Sequence, residues 1–112
     1  MDETLLVLTN FPNRESAQRV ANALIESRAA ACINILAECT SVYRWQGKIE
    51  TDSEVPLLIK TTRAAYPRLE TVIHEHHPYE LPEIIAVSVN GGLPDYLKWI
   101  AQEISPASTS LP

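Results

Sequence analysis

Residues Thr4–Asn10 read TLLVLTN, a continuous apolar run without helical spacing, closed soon afterwards by Pro12. A short run of this kind predicts a central strand, buried on both faces. Asn13 is placed to cap a helix over Arg14–Arg28, with Glu15 favourable to the dipole in its first turn. Ala17, Val20, Ala21, Leu24 and Arg28 step by three and four, which puts one stripe of that helix on a core. Two stretches rich in β-branched and aromatic residues follow, Ala31–Trp45 and Lys48–Thr61, joined only by Gln46-Gly47. A two-residue link containing glycine predicts a β-hairpin. A second amphipathic helix starts between Thr62 and Pro67, carries Leu69, Val72, Ile73 and His76 on one stripe, and is ended by Pro78. Ile84–Val89 (IIAVSV) is a fourth strand closed by Gly91-Gly92. A last helix runs from Pro94 to about Ser105, with Leu97, Ile100, Ala101 and Ile104 inward.

The resulting order, β-α-β-β-α-β-α, is that of an α+β ferredoxin-like βαββαβ sandwich: an antiparallel four-stranded sheet with helices on one face, and an extra C-terminal helix outside that plan. The hairpin is the anomaly. Its arms are about 14–15 residues long against a usual strand of about 5–6, so each extends roughly 45–50 Å. A 15-residue helix covers only about 22 Å. The uncovered half carries Val42, Tyr43, Trp45 and Ile49, too apolar to stay bare. Either bulges near Ala37-Glu38 or Pro56 bend the ribbon back, or it pairs with other copies of the chain, as a long edge strand requires. The apolar content favours the second outcome and predicts an oligomer.

At 112 residues the chain is one domain, placed at 1–105, followed by an uncharged Pro106–Pro112 segment that reads as a frayed tail. Nine Lys and Arg against fourteen Asp and Glu leave a net charge of −5. That balance argues against nucleic acid as a partner and gives no reason for an anionic membrane surface. Two cysteines, no basic leader and no long apolar run predict a soluble cytoplasmic protein without a disulfide scaffold, signal peptide or transmembrane span.

His74-Glu75-His76-His77 is the one dense cluster of ligand-type side chains. Imidazoles suit Cu(II), Ni(II) or Zn(II), but His74 and His76 are two apart on a helix and point to opposite sides. His76 falls on the apolar stripe, which also reads as a satisfied core histidine. His77, at the helix end, is free to swing towards a pocket. Cys32 and Cys39, both on one extended arm, are about 23 Å apart on opposite faces and read as separate free thiols. Lys60 is a lone cation within Leu57-Leu58-Ile59-Lys60, either snorkelling at an edge or paired in a pocket; Glu54 is a lone anion at the middle of its arm. His77-Pro78-Tyr79-Glu80-Leu81-Pro82-Glu83 is a short polar segment stiffened by two prolines. No P-loop, GxGxxG, GxSxG or zinc-ribbon spacing occurs, and no nucleophile is assembled with a base, so the chain does not read as an enzyme.

In order along the chain stand Ala31-Cys32-Ile33-Asn34-Ile35, Ser41-x-Tyr43-x-Trp45-x-Gly47-Lys48-Ile49, Leu58-Ile59-Lys60-Thr61 and His77-Pro78-Tyr79-Glu80-x-Pro82-Glu83-Ile84. With these, residues 4 to 104 closely resemble the CutA family of divalent-cation tolerance proteins. The resemblance implies a homotrimer built through the long hairpins, an architecture similar to PII signalling proteins, and a cytoplasmic bacterial setting. It implies copper, as Cu(II), or another divalent metal held by the histidine pair that matches His76 and His77. The family's first-strand cysteine is replaced here by Thr9, which removes a soft ligand. Trp45, Glu54, Lys60, His77, Tyr79 and Glu80 match recurring positions that gather at clefts between subunits. Three functions follow as expectations: divalent-cation tolerance through metal binding, a PII-like module sensing a small anionic ligand in the intersubunit cleft through Lys60, and a structural anchor for a partner protein.

Overall fold

The computed structural model describes residues 2–104. The tail expected over 106–112, and Ser105 at the end of the last helix, lie outside the described residues. The elements are β1 (Thr4–Phe11), α1 (Arg14–Glu26), β2 (Cys32–Ile35), β3 (Cys39–Trp45), β4 (Lys48–Thr62), α2 (Tyr66–His76), β5 (Ile84–Ser88) and α3 (Pro94–Ile104). The sheet runs β2-β4-β1-β5, all antiparallel, and β3 takes over from β2 along the outer half of β4. This is the expected ferredoxin-like α+β sandwich with a long hairpin and a C-terminal helix.

Local chemistry sets the boundaries. Asn13 caps α1, its side-chain oxygen accepting the Ser16 N–H at 2.8 Å. The helix stops at Glu26, two residues short of expectation, because Arg28 turns into the left-handed region at φ 58°. Arg28 therefore leaves the apolar stripe, and its guanidinium donates to the Glu103 carbonyl at 2.8 Å, tying down the end of α3. His77 is extended (φ −84°, ψ 132°) ahead of Pro78, which ends α2 as proline dictates.

One sheet face packs under α1 and α2. Val7, Phe11, Leu57 and Ile59 meet Val20, Leu24, Leu69 and Ile73 there, all fully buried. The alternation of the strands sends Leu6, Leu8 and Leu58 to the opposite face, where Ile85 stands beside Leu8 and Val87 beside Leu6. Ile85 is 51% exposed and Val87 48%. The C-terminal helix buries Ile100 and Ile104 against Ala65, with Ala31 and Leu97 packed alongside, and leaves that apolar face open.

The hairpin turn has Gln46 at φ 51° and Gly47 at φ 82°, the two positive angles a type I′ turn requires. The first arm is interrupted. Ile35 pairs with Leu57 but Cys39 pairs with Glu54, so three residues (36–38) oppose two (55–56), a one-residue bulge. Leu36 N–H donates to the Pro56 carbonyl at 2.9 Å across it. A strand residue's N and O point the same way, so the donor that Pro56 lacks falls where the ladder is already broken. The bulge kinks the ribbon without folding it back. The chain measures 55 × 28 × 23 Å, with a radius of gyration of 15.2 Å, against about 13 Å for a compact domain of this length. Beyond Val55, the last β4 residue paired to β1, residues 48–54 pair only with β3. That is a bare two-stranded ribbon about 23 Å long.

Candidate functional site

Where the ribbon leaves the sheet, its β3–β4 face and the loop after α2 enclose a cleft of about 970 Å³. From the hairpin come Ser41, Tyr43, Trp45, Asp52 and Glu54; from the loop come Tyr79, Glu80 and Glu83; Asn10 closes the inner end. Hairpin register places these five: Ser41 pairs with Asp52 and Cys39 with Glu54, so every second residue of both arms faces one side, and Val42 and Ser53 of the other parity also border the cleft.

The cleft is acidic throughout. Asp52, Glu54, Glu80 and Glu83 line it, and among the described residues no Lys, Arg or His does. The carboxylates are met by neutral donors instead. Asn10 Nδ2 donates to Glu83 Oε1 at 3.0 Å, and the Tyr43 hydroxyl donates to Asp52. That bond, with the nearby negative charge, pushes the Tyr43 hydroxyl up to about 12. Burial, then its bond to Glu54, holds the Tyr79 hydroxyl well above the ordinary tyrosine value. Both phenols stay protonated at neutral pH and leave the negative charge of the site in place.

His77 sits behind this wall. Its ring stacks on Phe11 (4.2 Å between centroids) and leans on Tyr79 (4.7 Å). Nε2 lies 2.6 Å from the Asn10 carbonyl, and Nδ1 receives the Tyr79 N–H at 3.2 Å. A carbonyl only accepts and an amide only donates, so the ring is the neutral Nε2–H tautomer. Burial, the largest influence, holds its pKa below the ordinary value. Both ring nitrogens are thus engaged.

The other sequence candidates fall elsewhere. His76 is exposed, not a core histidine: it is the final residue of α2, where the apolar stripe has run out, and its Nδ1 bonds back to the Val72 carbonyl at 2.9 Å. Lys60 is not in the cleft of its own chain. It stands six residues up β4 from Glu54, about 20 Å away, opposite Cys32, and its ammonium donates to Asn34. Trp45, Glu54, Tyr79 and Glu80 are brought together, with His77 behind them. Cys32 and Cys39 are free thiols. Thr9 is 1% exposed on the helix-covered face, and its hydroxyl has no partner among the described residues. No three metal-ligand side chains converge among the described residues. Asp52, which the sequence reading passed over, was countable from the turn: Trp45 opposes Lys48, and pairing backwards brings Asp52 to Ser41.

Comparison with known proteins bears on what this arrangement is for. Residues 5–103 match the family model described as CutA1 divalent ion tolerance protein. The chain is 44% identical to Protein CutA of Mus musculus over 90% of its own length, and spans 59% of that longer protein. It is 44% identical to the divalent-cation tolerance protein CutA of Thermus thermophilus, over 87% of this chain and 94% of that one. The crystal structure of CutA from Xylella fastidiosa superposes with a TM-score of 0.89 at 45% identity, covering 92% of this chain and 99% of that one. The chain belongs to the CutA1 divalent ion tolerance protein family.

Proposed function

We propose that the protein serves divalent-cation tolerance as a homotrimer whose acidic clefts collect cations at the subunit junctions. The observation that carries this reading is the bare ribbon. A two-stranded hairpin is marginal alone in water, yet residues 48–54 extend with β3 as their only paired strand, and Val42 (66% exposed) and Ile49 (68%) are uncovered on it. The open apolar sheet face with Leu6, Leu8, Leu58, Ile85 and Val87 adds a second unmet surface. Packing copies face to face, with each ribbon laid on a neighbour, covers both. Three subunits at −5 each carry about −15, a surface that gathers cations. Carboxylate and hydroxyl oxygens in the cleft suit hard divalent ions. The cytoplasm is the compartment we assign.

Copper, as Cu(II), or another divalent metal on His76 and His77 is the second reading, favoured by the open Nε2 of the exposed His76. It requires His77 to give up Asn10 or the Tyr79 amide. An anionic ligand in the cleft finds no cation there within one chain, and the PII-like reading rests on Lys60 arriving from a neighbour. A protein anchor would use the exposed hairpin tip. Sedimentation velocity tests the main reading. The native chain is expected at three times its 12.5 kDa mass, and Ile85→Lys with Val87→Lys is expected to release folded monomer. A native monomer at micromolar concentration, or an assembly indifferent to both lysines, overturns it.

A further inference from the structure

We infer that the outer side of α2 holds a divalent-cation site distinct from the acidic cleft, with His74 and Glu70 as its two protein ligands. A groove of about 400 Å³ runs there between the helix and the Leu81–Ile84 segment, with Glu70, His74 and Glu75 on one wall and Leu81, Pro82 and Ile84 on the other. Glu70 and His74 are one helical turn apart, so their side chains rise from the same face about 5–6 Å from each other at Cβ. That is the spacing at which a carboxylate and an imidazole reach one ion.

Three details separate this pair from the rest of the histidine run. The His74 ring makes no hydrogen bond among the described residues, whereas His76 spends Nδ1 on Val72 and His77 spends both nitrogens. The Tyr66 hydroxyl donates to Glu70 Oε2 at 3.0 Å, which orients the carboxylate, while Oε1 makes no hydrogen bond among the described residues. An outer hydrogen bond of this kind is what tunes and fixes a ligating carboxylate. Thr71, also on the groove, is committed to the Pro67 carbonyl at 3.1 Å and contributes no ligand. An imidazole with a carboxylate selects Zn(II), Cu(II) or Ni(II) over Mg(II) or Ca(II). With no third protein ligand converging, water completes the sphere and the ion exchanges readily.

Zn(II) titration of the intact assembly by calorimetry, with NMR of the histidine rings, tests the site. His74 is expected to shift first on adding zinc. His74→Gln and Glu70→Gln are each expected to weaken this binding at least tenfold; both positions are exposed, so circular dichroism and assembly mass stay unchanged. His76→Gln with His77→Gln, and separately Asp52→Asn with Glu54→Gln in the cleft, are expected to leave His74 binding intact. Unchanged zinc affinity in His74→Gln or Glu70→Gln, absence of a His74 shift, or loss only in the His76 and His77 variants overturns the proposal. A failure of the cleft variants alone bears on the cleft and not on this groove.

Discussion

Thr9 offers a test of the packing account at a single atom. Its side chain stands on β1 between Leu57 and Ile84, on the face covered by the helices, and its hydroxyl has no hydrogen-bond partner among the described residues. At 1% exposure, water does not supply one from outside. An unsatisfied buried hydroxyl costs about 1–3 kcal/mol, and valine replaces it with a methyl of nearly the same shape in a strand that suits β-branched residues. Thr9→Val is therefore expected to stabilise the protein by about 1–2 kcal/mol, a rise in Tm of roughly 4–10 °C for a chain of this size. Thr9→Ser is the control: it keeps the stranded hydroxyl, deletes a methyl from a packed core, and is expected to lose about 1 kcal/mol. Scanning calorimetry of the three proteins at one fixed concentration reads the difference, since association makes Tm concentration-dependent. A lower Tm for Thr9→Val means instead that the hydroxyl is satisfied in solution. The same burial bears on copper. A thiol restored by Thr9→Cys would lie in closed core, out of an ion's reach.

At the hairpin tip, a Cβ on Gly47 would meet nothing within 4 Å, so substitution is penalised only through its φ of +82°; Gly47→Val is expected to cost about 1–2 kcal/mol in urea denaturation. His77 makes stability pH-dependent. Burial lowers its folded pKa, so the unfolded chain takes up this proton first; the stabilisation is complete above the unfolded value of about 6.5 and is lost as pH falls below it, through the folded value. Urea midpoints followed from neutral pH downward should show that slope, and His77→Gln should flatten it; a midpoint that rises on acidification contradicts the assignment. Asp52→Asn is expected to bring the Tyr43 hydroxyl down from about 12 towards its ordinary 10, read by ultraviolet titration of tyrosinate; an unmoved titration shows that the pair does not form.

Periodicity made much of the fold legible. The unbroken apolar run TLLVLTN, the three-and-four spacing after Asn13 and the Gln46-Gly47 link each reported an element that the backbone adopts. The run predicts burial on both faces, whereas one face of β1 holds only half-buried Leu6 and Leu8. The bulge was half-visible: Pro56 in a central strand needs a broken ladder, but which residue of the facing arm is extra depends on pairing two distant segments. Helix ends were harder. Arg28 continued the apolar stripe on paper, yet it turns left-handed and anchors Glu103, a partner 75 residues away. His76 misled for a related reason, since a stripe read along a helix does not say where the covering surface stops. In the cleft, Tyr79 and Glu80 announced themselves between prolines, and Asp52 was accessible from hairpin register. The neutral state of His77 was not, because both of its bonding partners are backbone groups, one of them in β1.

A single chain is an unfinished object under this proposal, with a bare ribbon and an open apolar face that neighbours complete. Native mass spectrometry of untagged protein, purified without added metal, measures this directly by counting subunits and any retained ions in one spectrum. Three 12.5 kDa chains are expected in one particle, with divalent ions retained. A spectrum dominated by the single chain at micromolar concentration would contradict it.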